Sequence, residues 1–235
     1  MIGLIVPPAD GAVPPEAPLL YPRLHFEALG LALPEISASG FDAVRGAIVD
    51  KARLLVDRGA EVISVMGTSL TFYRGAEANR ELQRAVREAT GLPATTMSSA
   101  IVNALRALGV RRVGLATAYI DDLNRRLESF LREEGFAIAA VQGLDMKDVG
   151  GVRHVAPQTL AALVERVAEA DRSAEAILLS CGGLLAQDII PGLEARLGMP
   201  VIASSPAGFW DVVRLAGHDA AAPGCGRLFE PGVPR

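Results

Sequence analysis

The chain has 235 residues, half of them hydrophobic and about a fifth charged, a composition typical of a globular protein that buries a core. Its formal net charge is −4, and Lys and Arg are spread along the sequence rather than clustered. This distribution argues against nucleic acid or an anionic membrane as a partner. No apolar run approaches the roughly 18 residues that a membrane-spanning helix requires.

The N-terminal stretch and the small number of cysteines indicate the cellular compartment. MIGLIVPPADGAVPP has no basic leader and is interrupted early by prolines, so we do not expect a signal peptide. Cys181 and Cys225 are too few for a disulfide framework or a zinc site. His25, His154 and His218 have no Cys, Asp or Glu at metal-ligand spacing. We therefore expect a cytoplasmic protein with reduced thiols.

Short apolar runs alternate with longer amphipathic stretches along the chain. The runs predict strands at Ile2–Val6, Val62–Met66, Ala94–Met97, Val113–Thr117, Ala176–Ser180 and Val201–Ala203. The amphipathic stretches predict helices near 41–58, 76–90, 99–108, 122–135, 158–170, 184–196 and 207–216. This alternation indicates an α/β fold with parallel sheets. Ligands in such folds bind at the carboxyl ends of the strands.

The order of these elements repeats once. Three segments have counterparts in the same order: IGLIVPP with VGLATAY, EVISVMGTSL with EAILLSCGGLL, and GLPATTMSSAIVNALRALG with GMPVIASSPAGFWDVVRLAG. The offset between partners stays at about 110 residues, and an internal repeat of this kind indicates duplicated architecture. We predict two pseudo-symmetric Rossmann-like halves, residues 1–110 and 111–235, with an active site in the cleft between them.

A cysteine follows one of the predicted buried strands. Cys181 is succeeded by Gly182 and Gly183, and glycines let backbone N–H groups approach a ligand closely. A helix predicted from Leu184 would direct its positive N-terminal end at the thiol. An isolated thiol can also be a buried, unreactive packing residue. The two glycines and the matching loop of the other half favour a reactive position.

That matching loop is Met66-Gly67-Thr68-Ser69. Gly67 occupies the position that Cys181 has in the second half. The hydroxyl and N–H groups of Thr68 and Ser69 suit a carboxylate. The same turn is equally consistent with a cap on the following helix, and the two interpretations are compatible because both use the same unpaired donors.

Tyr119 follows the predicted strand VGLAT and is aligned with Pro8 in the internal repeat. We expect it at the rim of the cleft. Its phenol there would donate to a carboxylate or an enolate oxygen. A half-buried packing role is the alternative, and the position of this tyrosine alone does not separate the two.

The duplicated halves and the strand-end cysteine resemble the aspartate/glutamate racemase superfamily. Its members typically place one cysteine in each half, so that two thiols flank the α-carbon of the substrate. Gly67 departs from that pattern and removes half of a two-base mechanism. The motifs VMGTSLTFYRGA, LRALGVRRVGLATAYIDDLNRRL, ILLSCGGLL and SSPAGFWDVVRLAG resemble the arylmalonate decarboxylase family, in which a single catalytic cysteine faces a glycine.

This resemblance implies cofactor-independent, enantioselective decarboxylation of an aryl- or alkenylmalonate through an enediolate that Cys181 protonates. The substrate would be held by Pro7, Gly67, Thr68, Ser69, Leu70, Tyr119, Gly182 and Gly183. A hydrophobic pocket for the leaving carboxylate would be formed by Leu33, Ile36, Val149 and Val152. We expect a malonate-type dicarboxylate as ligand, no metal, no cofactor, no nucleic acid, no membrane contact and a monomeric state.

Two alternatives remain open. A racemase or a maleate cis–trans isomerase of the same superfamily would use similar loops, but such enzymes normally need two cysteines, and Gly67 counts against them. A non-catalytic dicarboxylate-binding protein would use the same anion-holding loops without needing a thiol. Replacing Cys181 by Ala separates the enzyme from the binder, because only the enzyme depends on the thiol.

Overall fold

In the computed structural model, which describes residues 1–148 and 150–233, eight strands form two parallel sheets. The strands are β1 (Ile2–Val6), β2 (Phe26–Gly30), β3 (Val62–Val65), β4 (Ala94–Thr96), β5 (Arg112–Thr117), β6 (Ala137–Gly143), β7 (Ala176–Ser180) and β8 (Val201–Ala203). The sheet orders are β2-β1-β3-β4 and β6-β5-β7-β8. Because both sheets have the same order, the predicted α/β fold with two similar halves is confirmed.

Ten α-helices accompany the strands within the described residues. They are α1 (Glu16–Leu20), α2 (Ala38–Arg45), α3 (Ala47–Asp57), α4 (Thr68–Phe72), α5 (Gly75–Thr90), α6 (Met97–Ala107), α7 (Asp121–Glu133), α8 (Pro157–Ala170), α9 (Ile190–Leu197) and α10 (Ser204–Leu215). α3 packs on β1, β2 and β3, and α8 packs correspondingly on β5, β6 and β7. In the described part of the chain, no helix is both long and apolar enough to cross a bilayer.

The central strands owe their position to continuous apolar sequence. Every residue of β1, β3 and β7 is buried, as expected for parallel strands that helices cover. Of the four edge strands, β4 and β8 are buried, whereas β2 and β6 are only half-buried. Their sequences, FEALG and AIAAVQG, lack a run of β-branched residues, which is why the sequence did not predict them.

Two helix predictions were wrong. The helix predicted near 41–58 is divided at Gly46 into α2 and α3. The helix predicted from Leu184 begins only at Ile190, after a 3₁₀ turn at Gln187–Ile189. Pro191 lies in the first turn of α9, where a proline is favoured because its missing N–H would have no partner there. A helix therefore does not begin directly after the Cys181-Gly182-Gly183 loop, as the sequence had suggested.

The two halves meet along a pair of equivalent helices. α6 follows the last strand of the first sheet, α10 follows the last strand of the second, and the two helices pack against each other. A buried carboxylate stabilises this contact. Asp211 of α10 accepts hydrogen bonds from Thr95 Oγ1 at 2.6 Å and from Asn103 Nδ2 at 2.9 Å. This arrangement turns the carboxyl ends of the two sheets towards each other.

Candidate active site

A cavity of about 250 Å³ lies between the carboxyl ends of the two sheets. Loops that follow β1, β2, β3, β6 and β7 line it, together with the start of α6, as expected for a ligand site in an α/β fold. The predicted site residues that line it are Pro7, Leu33, Ile36, Gly67, Thr68, Ser69, Leu70, Val152, Cys181, Gly182 and Gly183. Val149, which was also predicted, lies outside the described residues.

Cys181 comes directly after β7 and is 8% exposed. Its φ is 155°, in a region that residues other than glycine rarely adopt and that is found mainly at functional sites. Burial raises the pKa of its thiol to about 11, although the Gly183 N–H and the Tyr119 hydroxyl offset part of the rise. The thiol is therefore neutral at neutral pH and has a proton to donate.

The cysteine loop, residues 181–183, and the Gly-Thr-Ser loop, residues 67–69, lie close together with Met97 between them. A Cβ placed on Gly182 would lie 3.1 Å from Met97 Sδ and 3.6 Å from the carbonyl oxygen of Met66. On the other side, Thr68 Oγ1 donates to Met97 Sδ at 2.7 Å. The two loops that the internal repeat paired therefore do face each other.

Gly67 has no side chain at the position equivalent to Cys181, so the cavity has no second thiol there. A Cβ at this position would lie 3.0 Å from Leu70 Cβ and 3.3 Å from Pro7 Cγ, closer than ordinary van der Waals contact. Gly67 is also the N-cap of α4, so the first-turn N–H groups of Thr68 and Ser69 have no partner within that helix. Both sequence interpretations of this turn, a helix cap and a donor cluster at the cavity, are compatible with its geometry.

Buried hydrogen bonds hold this turn against the start of α6. Thr71 Oγ1 donates to the Gly67 carbonyl at 2.9 Å and accepts from the Ser98 N–H at 3.2 Å. Ser98 Oγ donates to the Thr68 carbonyl at 3.0 Å. The donor groups that face the cavity are thus fixed by a second layer of polar contacts before any ligand arrives.

Tyr119 does not lie at the rim of the cleft, as the sequence suggested, but is fully buried beneath it. Its ring packs edge-on against Phe72 with centroids 5.6 Å apart, and Ser180 Oγ donates to its hydroxyl at 3.3 Å. Burial raises the pKa of Tyr119 well above its ordinary value, while the hydroxyls of Ser180, Thr68 and Ser69 beside it act in the opposite direction. The neutral phenol is left with a proton to donate towards the loops above.

The opposite side of the cavity is apolar. Leu33 and Ile36 come from the loop after β2, and Val152 comes from a 3₁₀ turn after β6. The Ile36 N–H donates to the Lys147 carbonyl at 3.2 Å, which joins these two loops across the halves. Val152 is buried, and a Cβ on Gly183 would lie 3.2 Å from its Cγ1. This side therefore offers hydrocarbon rather than hydrogen-bond donors.

Sequence reasoning missed further lining residues: Val6, Pro8, Ala12, Val13, Pro14, Pro15, Glu16, Met66, Met97, Arg153 and Leu185. Many of them belong to PPADGAVPPE, the segment after β1, whose strand-end position was an available signal. Glu16 is buried, which raises the pKa of its carboxyl group. Among residues 1–148 and 150–233, no group of His, Cys, Asp or Glu is arranged to hold a metal ion.

The fold and the cavity define a class: a two-halved α/β protein whose cavity has one thiol, with a glycine at the equivalent position of the other half. The sequence profile of the family described as arylmalonate decarboxylase matches residues 2–229. The chain belongs to this arylmalonate decarboxylase family.

Individual relatives agree with this assignment. The chain is 56% identical to the arylmalonate decarboxylase of Bordetella bronchiseptica over 97% of its own length and 96% of that protein. A liganded double mutant of arylmalonate decarboxylase, with a glycine changed to cysteine and a cysteine to serine, superposes with a TM-score of 0.96 at 56% identity, covering 97% of both chains. The maleate isomerase of Nocardia farcinica is 26% identical over 97% of this chain and 94% of its own.

Proposed function

We propose that this protein decarboxylates aryl- or alkenylmalonates to α-aryl or α-alkenyl carboxylic acids and CO₂, with Cys181 as the proton donor. One observation carries the proposal. A neutral thiol lines one side of the cavity, and the equivalent position opposite is Gly67. A single acid on one face suits a reaction that ends in one protonation, whereas racemization needs a group on each face.

The carboxylate that stays would bind at the polar side of the cavity. Thr68 and Ser69 offer hydroxyl and N–H donors, Gly182 offers a backbone N–H, and Tyr119 offers its phenol from below. These donors are neutral and fixed in place, so they stabilise the charge of the enediolate without reorganising during the reaction. Pro7, Leu70 and Gly183 would shape the space around the substrate.

The carboxylate that leaves would lie against the apolar side. Leu33, Ile36 and Val152 line it, and the resemblance adds Val149. An anion is poorly solvated there, and its conversion to neutral CO₂ removes that penalty. An aryl or alkenyl group delocalises the negative charge that develops on the α-carbon, so the chemistry requires neither a metal nor an organic cofactor.

The proposed reaction has two steps, cleavage of a carbon–carbon bond and protonation of the α-carbon, and its electrons and protons balance. The bond from the α-carbon to the leaving carboxyl carbon breaks, and its electron pair remains on the α-carbon as the enediolate. The Cys181 thiol then transfers its proton to that carbon and becomes a thiolate, which water reprotonates. Because the proton arrives from the Cys181 face alone, a prochiral substrate gives predominantly one enantiomer.

The test is incubation of the purified protein with 2-methyl-2-phenylmalonate in D₂O. We expect release of CO₂ and 2-phenylpropanoate of one configuration with a single deuterium at the α-carbon, measured by mass spectrometry and chiral chromatography. Absence of CO₂ release from this compound, phenylmalonate and an alkenylmalonate would refute the proposed activity.

A pair of cysteine variants distinguishes the loss of the catalytic thiol from the general effect of replacing a cysteine. Cys181→Ala should lose at least about a thousandfold in kcat, within the range for removal of a catalytic acid, while still binding phenylmalonate in calorimetry. Cys225→Ala is the matched control, since Cys225 does not line the cavity, and it should retain full activity. Turnover by Cys181→Ala at the wild-type rate would exclude this thiol as the donor.

A further inference from the structure

The mouth of the cavity carries one positive side chain among the described lining residues, Arg153. It lies in the 3₁₀ turn Gly151–His154 and is exposed. Within residues 1–148 and 150–233, it makes neither a side-chain hydrogen bond nor an ion pair. Its guanidinium group is therefore available to a ligand rather than committed to the fold.

The backbone beside Arg153 is firmly placed, although its side chain is exposed. The preceding residue, Val152, is buried against Gly183 of the cysteine loop. Asp148 accepts hydrogen bonds from the N–H groups of Gly150 and Gly151, both at 2.9 Å. The turn thus keeps this positive charge next to the entrance.

We infer that Arg153 attracts the substrate electrostatically and makes the enzyme prefer malonate dianions over monoanions. The inference rests on the proposed function, because it concerns the charge of that substrate. The protein as a whole carries a net charge of −4 and repels a dianion. A positive group at the mouth of an apolar cavity raises the local concentration of the anion, over a range of about 8–10 Å at physiological salt.

The position of Arg153 at the mouth determines which kinetic step it affects: capture of the substrate rather than loss of CO₂. A guanidinium ion inside the apolar pocket would stabilise the leaving carboxylate and slow the loss of CO₂. Exposed at the mouth, the group remains solvated while the carboxylate rests against Leu33 and Ile36. We therefore expect Arg153 to contribute to kcat/KM through capture of the substrate and to have little influence on kcat.

The experiment measures kcat/KM of wild type, Arg153→Gln and Arg153→Glu from low to high ionic strength. At low salt we expect losses of about three- to tenfold for Arg153→Gln and more for Arg153→Glu, since one charge should give no more than the lower limit of about tenfold known for steering by whole charged clefts. The differences should shrink at high salt, and kcat should change less than about twofold. Arg172→Gln is the matched control, because Arg172 is exposed just before β7, at the end of the sheet away from the cavity.

A second comparison tests the preference for charge. Phenylmalonate and its monoethyl ester are measured as ligands of the inactive Cys181→Ala protein, with and without Arg153→Gln, by calorimetry at two salt concentrations. The dianion should lose several-fold more affinity than the monoanion when Arg153 is replaced. Equal losses for both ligands, or kcat/KM of Arg153→Gln equal to wild type at low salt, would overturn the inference. If wild type decarboxylates no malonate, the proposed function fails, while the binding measurement still decides the role of Arg153.

Discussion

At the scale of single residues, burial determines the chemistry of Cys181. The thiol is 8% exposed, and its pKa rises to about 11 because the thiolate would be poorly solvated. Tyr119 below it is also kept neutral by burial. A thiol with this pKa is a proton donor, whereas a nucleophilic cysteine needs a lowered pKa.

The raised pKa predicts a loss of stability at alkaline pH. Because the folded protein holds the thiol proton more tightly than the unfolded chain, this contribution is complete below pH 9 and is lost as pH rises through about 11. The free energy of unfolding of wild type should fall by about 2 kcal/mol more than that of Cys181→Ala between pH 8 and pH 11. Urea unfolding at both pH values measures the difference, and identical losses in the two proteins would contradict it.

Residue positions were predictable where the repeat constrained them. Gly67 and Cys181 followed from the pairing of two strand ends, and both line one cavity. Tyr119 was expected at the rim because its place in the repeat matches Pro8, but its ring is directed inward against Phe72. Side-chain direction in such a loop depends on packing by other elements, which sequence periodicity does not encode.

At the scale of elements, the turn from β3 into α4 depends on neighbouring helix α6. Thr71 Oγ1 links the Gly67 carbonyl to the Ser98 N–H, so two helices share one buried hydroxyl. A ligand that binds to the Gly-Thr-Ser turn therefore meets donors whose positions α6 has already fixed.

Removing that hydroxyl should weaken both the fold and substrate binding. Thr71→Val leaves a buried N–H and a carbonyl with fewer partners, and we expect a loss of about 1–3 kcal/mol in stability with a several-fold rise in KM for an arylmalonate. Thr90→Val is the control, since Thr90 Oγ1 donates to the Val86 carbonyl at 2.7 Å at the far end of α5. Its KM should match wild type; an unchanged KM in Thr71→Val would show that the turn does not need this support.

Helices and strands with a strong local sequence pattern were predictable, whereas those with a weak pattern were not. The buried central strands β1, β3, β5 and β7 stand out as apolar runs. The half-buried edge strands β2 and β6 depend on pairing with a neighbour, as in Ile2–Val6 with Phe26–Gly30, and this pairing is a tertiary effect. The start of α9 was misplaced because an apolar pattern continues through residues 184–189 although the backbone there is not α-helical.

At the scale of the whole molecule, the site exists only while the two halves stay together. Asp211 of α10 accepts hydrogen bonds from Thr95 and Asn103 of the other half, and α10 packs along α6. The division of the chain at residues 110 and 111 stays a prediction, which separate expression of the two segments would examine.

Breaking this contact should destabilise the whole protein. Asp211→Ala removes the acceptor of the buried Thr95 hydroxyl and of the half-buried Asn103 amide, so we expect a loss of about 2–3 kcal/mol, measured by urea unfolding. Asp50→Ala is the control, because its ion pair with Arg53 is largely exposed and should contribute less than about 0.5 kcal/mol. A loss for Asp211→Ala no larger than for Asp50→Ala would mean that the halves are held together by other contacts.

The burial of the Cys181 thiol also determines how well it resists oxidation and alkylation. Peroxide and alkylating reagents attack the thiolate form, and a pKa of about 11 leaves only about one molecule in ten thousand in that form at pH 7. The environment that keeps the proton on sulfur, as the proposed donation to the α-carbon requires, therefore also protects the sulfur from oxidation. We expect this enzyme to tolerate air without an added reductant, unlike enzymes whose cysteines are activated as nucleophiles.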